Sequence, residues 1–246
     1  MNQEMSLSDR EREIILGSML GDGSLKLHRG YANARFSFRH SIKQKEYFDW
    51  KVGELKGISG PVNVFLQKKD GWSRVEKLRF QSRALPSLTE LYRRTCKKGK
   101  LIIERNWLNQ LTTLSLLVWW CDDGSIIGGG RKGVFCTDGF EEKAVRRLAQ
   151  YLKVVWKIKT HVGAINRVRQ EETKRYWRLW LSTEELKRFL RIILPELKVP
   201  DLLYKFILKY RDSQLQQRWI SEVSSLSGFS IQLISRKLKE RNQRMI

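Results

Sequence analysis

Apolar and polar positions along the chain follow two alternating periods, and the switches between them mark its elements. Ser8 with Glu11 three residues on forms a capping box that opens a helix into the apolar run ending at Gly21-Asp22-Gly23. Ala34, Phe36 and Phe38 then alternate with Arg35, Ser37 and Arg39, the period of a strand. The pattern predicts a helix over 43–55, strands over 62–69 and 76–82 joined through Asp70-Gly71, and a helix over 85–94. The order then recurs. An apolar run reaches Asp123-Gly124, a strand is predicted over 134–137 and a long helix over 140–156. Strands over 160–165 and 176–181 follow, and Ser182 with Glu185 caps a helix over 183–194.

The recurrence is visible in the residues themselves. Ile15-Leu16-Gly17-Ser18-Met19-Leu20-Gly21-Asp22-Gly23 is matched by Leu116-Leu117-Val118-Trp119-Trp120-Cys121-Asp122-Asp123-Gly124, and Ser24-Leu25 by Ser125-Ile126. The reading is an α+β duplication, with a first half over 1–103, a second over 104–215 and a basic tail over 216–246. No Pro- or Ser-rich linker separates the halves, so tight packing between them is expected.

Charge narrows the function. Lys and Arg number 48 against 26 Asp and Glu, a net +22, which points to a polyanionic partner. With 41% hydrophobic residues and nine Trp the chain has material for a core, which excludes a disordered polycation. Apolar runs are too short for a membrane-spanning helix, and residues 1–12 lack the apolar stretch of a signal peptide. Cys96, Cys121 and Cys136 are odd in number and widely spaced, which argues against a disulfide framework or a structural zinc site. An intracellular, reducing compartment is the expectation, without a membrane partner.

A single Asp-Gly after an apolar helix is ordinarily a helix end with a solvated acid. Two copies are another matter, because an acid at a helix C-terminus opposes the dipole. Two such helices side by side would also bring Asp22 and Asp123 together. Paired carboxylates on so basic a protein suggest a divalent cation acting on phosphate.

These paired motifs resemble those of the LAGLIDADG homing endonucleases, in the monomeric two-motif branch found in many intron-encoded enzymes. The resemblance covers about residues 12–210. It implies two α-β-β-α-β-β-α halves packed through the motif helices, with saddle-shaped sheets on double-stranded DNA. It also implies Mg²⁺ or Mn²⁺ held by Asp22 and Asp123 and by the peptide oxygens of Gly21 and Asp122. Asp122 is an ambiguous neighbour, and the position immediately before the glycine favours Asp123 as the catalytic acid. The resemblance further implies paired basic residues near the cut, falling on Lys100 and Lys205. One departure stands out. Gly17 and Gly21 are small as in the family, but Val118, Trp119 and Trp120 are bulky, so close helix approach is expected to rest on the glycines receiving those side chains.

The strands supply DNA-binding candidates. Arg35, Ser37 and Arg39 share one face, as do Lys77, Arg79 and Gln81, and Arg178 shares a face with Tyr176, Trp180 and Ser182; Thr160, Arg167 and Arg169 add to them. His28, His40 and His161 show no ligand spacing and read as ordinary surface or strand residues. Arg236, Lys237, Lys239, Arg241 and Arg244 mark the tail, read as solvated or disordered in preference to a phosphate-contacting helix. The terminal Met245-Ile246, in place of the His-Asn of an intein, reads as a free-standing product. The leading expectation is a site-specific endonuclease that leaves short 3′ overhangs. The alternatives are a maturase that binds group I intron RNA and a catalytically inactive DNA-binding regulator.

Overall fold

The computed structural model describes residues 6–68, 75–169 and 172–243. Compactness divides the chain into two units, 1–122 and 123–246.

In the first unit, helix α1 (Asp9–Met19) starts at the expected capping box, Ser8 accepting from the Glu11 amide while Glu11 accepts from the Ser8 amide. Strands β1 (Gly23–Lys26) and β2 (Arg35–Ser41) follow, then α2 (Lys45–Glu54), β3 (Val64–Gln67), β4 (Lys77–Gln81) and α3 (Pro86–Thr95). All sheet pairs are antiparallel, in the order β1-β2-β4-β3. Phe36, Phe38 and Phe80 point inward and are buried, which sets their alternate residues on the open face. The expected turn at Asp70-Gly71 lies outside the described residues. A two-residue hairpin comes next, β5 (Cys96–Lys97) with β6 (Lys100–Leu101). Its turn places Lys98 and Gly99 at φ 49° and 77°, as a type I′ turn requires. A short helix α4 (Arg105–Leu108) leads into α5 (Thr113–Asp123), the second motif helix.

Helix α5 explains why the first unit extends past residue 103. Ser115 Oγ donates to the Glu13 carbonyl of α1 at 2.8 Å, and a Cβ on Gly17 would strike the Ser115 backbone. A Cβ on Gly21 would likewise strike the Asp122 side chain. The glycines thus receive Ser115 and Asp122, not Val118, Trp119 and Trp120 as the sequence suggested. Residues 115 and 122, seven apart, share one stripe of the helix, and Val118, Trp119 and Trp120 are fully buried in the core.

The second unit repeats the scheme with β7 (Gly124–Ile127), β8 (Lys132–Phe135), α6 (Glu142–Val155), β9 (His161–Arg169), β10 (Glu172–Leu181) and α7 (Thr183–Ile193). Its sheet order, β7-β8-β10-β9, is that of the first. Strands β9 and β10 run longer than the apolar alternation predicts, because their outer stretch, including Arg167, Val168, Glu172, Thr173 and Lys174, is exposed and mostly polar, and the register still pairs it down to Glu172 with Arg169. The second capping box is half formed: Ser182 accepts from the Glu185 amide, while Glu185 accepts from the Lys159 amide instead.

The tail is folded, contrary to the sequence reading. Asp212 caps α8 (Ser213–Ser227), Gly228 ends it at φ 77°, and α9 (Ile231–Gln243) turns back. Trp219, Ile220, Val223 and Ile234 are buried, a stripe that the basic composition of the tail concealed. Lys237 pairs with Asp201 at 2.6 Å, and Arg241 donates to the carbonyls of Tyr204 and Ile207. Among the described residues no helix is long and apolar enough to cross a membrane.

Candidate active site

The site in the first unit grows from the C-terminal ends of its two motif helices. Asp22 follows α1 with its side chain 43% exposed. Asp122 lies in the last turn of α5 and faces inward, its side chain fully buried although the residue as a whole is not, so its exposed surface is main chain. The Asp122 carboxylate accepts from Lys51 Nζ at 3.2 Å on both oxygens, from Tyr47 OH at 2.8 Å, and from the Asp22 amide at 3.2 Å. Burial, reinforced by the adjacent Asp122 charge, pushes the Tyr47 phenol well above its ordinary pKa, so it serves as a hydrogen-bond donor. The Lys51 ammonium is fully buried, 4.4 Å from the centroid of Phe38.

His40 completes the cluster. Its Nδ1 lies 3.3 Å from Asp22 Oδ2 and its Nε2 3.8 Å from Asp122 Oδ1, and Asp22, His40 and Asp122 each offer a ligand atom within 4.8 Å of the others. His40 lies in strand β2, as one of the two expected readings had it, but it is a core residue beside two acids and not a surface one. It is 2% exposed and continues the inward Phe36-Phe38 alternation by one more step. Lys51 and Tyr47 were also missed, although their four-residue spacing sets both on the buried face of α2.

From Asp22 an open groove runs across the sheet. Its lining holds Ser24, Lys26, His28, Arg35, Ser37, Arg39, Lys77, Arg79 and Gln81. All six DNA-binding candidates of the first half thus share one surface with the acid. The register pairs Arg39 with Arg79 and Ser37 with Gln81 across β2 and β4, while Phe38 and Phe80 pair on the opposite face. Replacing Arg79 by Ala is accordingly expected to relax nucleic-acid sequence preference at one position, by about 1–3 kcal/mol. Leu78→Ala, on the other face, should lower thermal stability and leave preference intact. Selection of bound duplexes from a randomised library, with melting curves for both variants, separates the two.

In the second unit Asp123 occupies the position of Asp22. Its carbonyl accepts from the Cys136 amide at 3.0 Å. The Cys136 thiol is raised by burial, with the charges of Arg178, Asp138, Asp123 and Lys205 around it. Arg178 forks onto Asp138 at 2.7 and 2.6 Å, and Arg167 reaches the same carboxylate at 3.4 Å. The Asp138 hydrogen bond raises the Arg178 pKa, and Asp138 holds this DNA-binding candidate in an internal ion pair. Arg169 ends β9, paired in register with Glu172. Lys205 closes the 3₁₀ turn Pro200–Lys205 and is 7% exposed, whereas Lys100 is exposed on β6. The two lysines therefore sit in unlike surroundings.

Two motif helices, each feeding a four-stranded antiparallel sheet through Asp-Gly, define an internally duplicated α+β fold with an acid in each repeat. The chain belongs to the LAGLIDADG DNA endonuclease family, whose model matches residues 12–189. It is 30% identical over 218 residues to the protein RecA of Mycobacterium shimoidei, covering 83% of this chain and 48% of that protein. It is 29% identical over 203 residues to the cytochrome b mRNA maturase bI2 of Saccharomyces cerevisiae, covering 78% and 46%. The chain spans about half the length of these curated relatives. Its fold matches the homing endonuclease I-WcaI bound to its DNA recognition sequence, with a TM-score of 0.69 and 19% identity over 83% of this chain and 89% of that one.

Proposed function

We propose that this protein is a site-specific DNA endonuclease that hydrolyses both strands of a long, imperfectly palindromic target and leaves short 3′ overhangs. One chain carries both motif acids, so it acts as a monomer. The observation that supports this most directly is the Asp22 carboxylate at the head of a groove lined by Arg35, Arg39, Lys77, Arg79 and Gln81. A carboxylate beside a phosphate-binding face suits metal-assisted hydrolysis. The donor set fits Mg²⁺, a hard cation usually held by one or two carboxylates, with Mn²⁺ as a substitute. In each repeat the motif acid, Asp22 or Asp123, would hold such an ion, with the peptide oxygens of Gly21 and Asp122 as further ligands, and the exposed main chain of Asp122 favours that role. When bound, the metal lowers the pKa of water and offsets charge on the phosphate.

The chain's own residues do the rest. Arg35, Arg39 and Lys77 bind backbone phosphates, while Arg79, Gln81 and Ser37 present donors and acceptors to base edges. Arg167, Arg169 and Arg178 serve the other half-site, Arg178 after exchanging Asp138 for a nucleotide. Lys100 and Lys205 position solvent and place a point charge beside the cut phosphate. Lys205→Met is expected to slow single-turnover cleavage at saturating protein with binding nearly intact. A lysine that merely binds phosphate would instead weaken binding and flatten its salt dependence by about one unit.

The test is incubation of the purified protein with a randomised duplex library. Mg²⁺ should give discrete cut products and Ca²⁺ only retention; no cleavage under any divalent metal would refute the reading. The likeness to the yeast maturase supports a second activity, binding of group I intron RNA, which a splicing assay with Asp22→Asn protein would isolate.

A further inference from the structure

Asp22, His40 and Asp122 bring three ligand atoms within 4.8 Å, the composition of a ready metal cage. Lys51 stands against that reading. Its ammonium lies 3.2 Å from both oxygens of the Asp122 carboxylate and 3.5 Å from His40 Nε2, and it is fully buried. A buried ammonium at that point supplies the charge that a metal ion would otherwise bring, and its retention there demands a partner of opposite sign.

We propose that Lys51 is a resident counter-cation that keeps Asp122 from binding metal, and that Asp122, so held, positions Asp22. The inference rests on the reading of Asp22 as a metal-binding acid. The geometry gives each partner a task. Lys51 and Tyr47 saturate the inner side of the Asp122 carboxylate. The same carboxylate accepts from the Asp22 amide, fixing the main chain from which the Asp22 side chain projects into the groove. His40 Nδ1, buried and without a hydrogen bond among the described residues, lies 3.3 Å from Asp22 Oδ2 and braces that carboxylate from the core side. Metal recruitment is thereby left to Asp22 and the exposed main chain. A complete ion cage in the absence of substrate does not form, and the divalent ion enters with the phosphate that completes its shell.

The arrangement predicts what happens when the ammonium is removed. In Lys51→Met protein the three ligand groups lose their internal cation, and a divalent ion replaces it without DNA. Melting of DNA-free protein with and without Mn²⁺ reads this directly, together with the Mn²⁺ electron paramagnetic resonance signal. Lys51→Met should melt lower than wild type and recover by about 4 °C at Mn²⁺ tenfold above its dissociation constant, while wild type does not shift. Lys51→Gln, which keeps a donor but no charge, should behave alike and serves if the methionine variant is too unstable to melt cooperatively. Lys51→Met/Asp122→Asn, with no buried charge left, should fold and show no Mn²⁺ response. Equal Mn²⁺ responses in wild type and both Lys51 variants would overturn the counter-cation role. The same holds if the double variant keeps the response. If instead the gained ion survives Asp22→Asn in the Lys51→Met background, the reading of Asp22 as a metal-binding acid fails, independently of Lys51.

Discussion

Asp22→Asn and Asp123→Asn are each expected to remove double-strand cleavage while leaving DNA binding within a few-fold of wild type. The two asparagines keep size and hydrogen-bonding capacity but lose the charge that holds a divalent cation. Binding survives because the cationic groups of the groove lie on the strands, with Arg39 and Arg79 paired across β2 and β4. Nicking of a supercoiled plasmid bearing the target, alongside gel retardation in Ca²⁺, gives both numbers. Asp122→Asn differs in kind: its loss falls on stability, since it leaves the Lys51 ammonium buried without its counter-charge. Full double-strand cleavage by Asp123→Asn would remove that residue from the site and shift attention to Asp122.

The second large effect is expected from the contact between the motif helices. Gly17→Val should destabilise the protein by roughly 1–3 kcal/mol, because its new atoms meet the Ser115 backbone, which has no rotamer to yield. Gly53→Ala is the control. It lies within α2, its added Cβ meets nothing beyond its own helix among the described residues, and it should stabilise by roughly 0.5–1 kcal/mol through helix propensity. Denaturant midpoints for the two variants should move in opposite directions. A Gly17→Val protein as stable as wild type would mean that the helices do not approach through this glycine.

How much of this was legible beforehand depended on distance along the chain. The outward faces of β2 and β4 follow from period-two alternation, a property of neighbouring residues, and the register of the sheet carried it through unchanged. The helix start at Ser8 was equally local, since both capping partners lie within three residues. The tail was misread because four buried residues, Trp219, Ile220, Val223 and Ile234, are diluted among basic ones, and only their partners reveal which face is buried.

The sequence by itself determined the duplication, the alternation that faces arginines one way and phenylalanines the other, and the placing of an acid before each motif glycine. Each of these is set by steric and periodic rules acting over a few residues. Only the tertiary structure decided what surrounds those acids. Lys51 and Asp122 are 71 residues apart, and Ser115 lies 102 residues from Glu13. A lysine on a helix reads as solvated until the fold buries it, and a carboxylate reads as a ligand until a neighbour neutralises it. Electrostatic pairing depends on separation in space, which the order of residues does not contain.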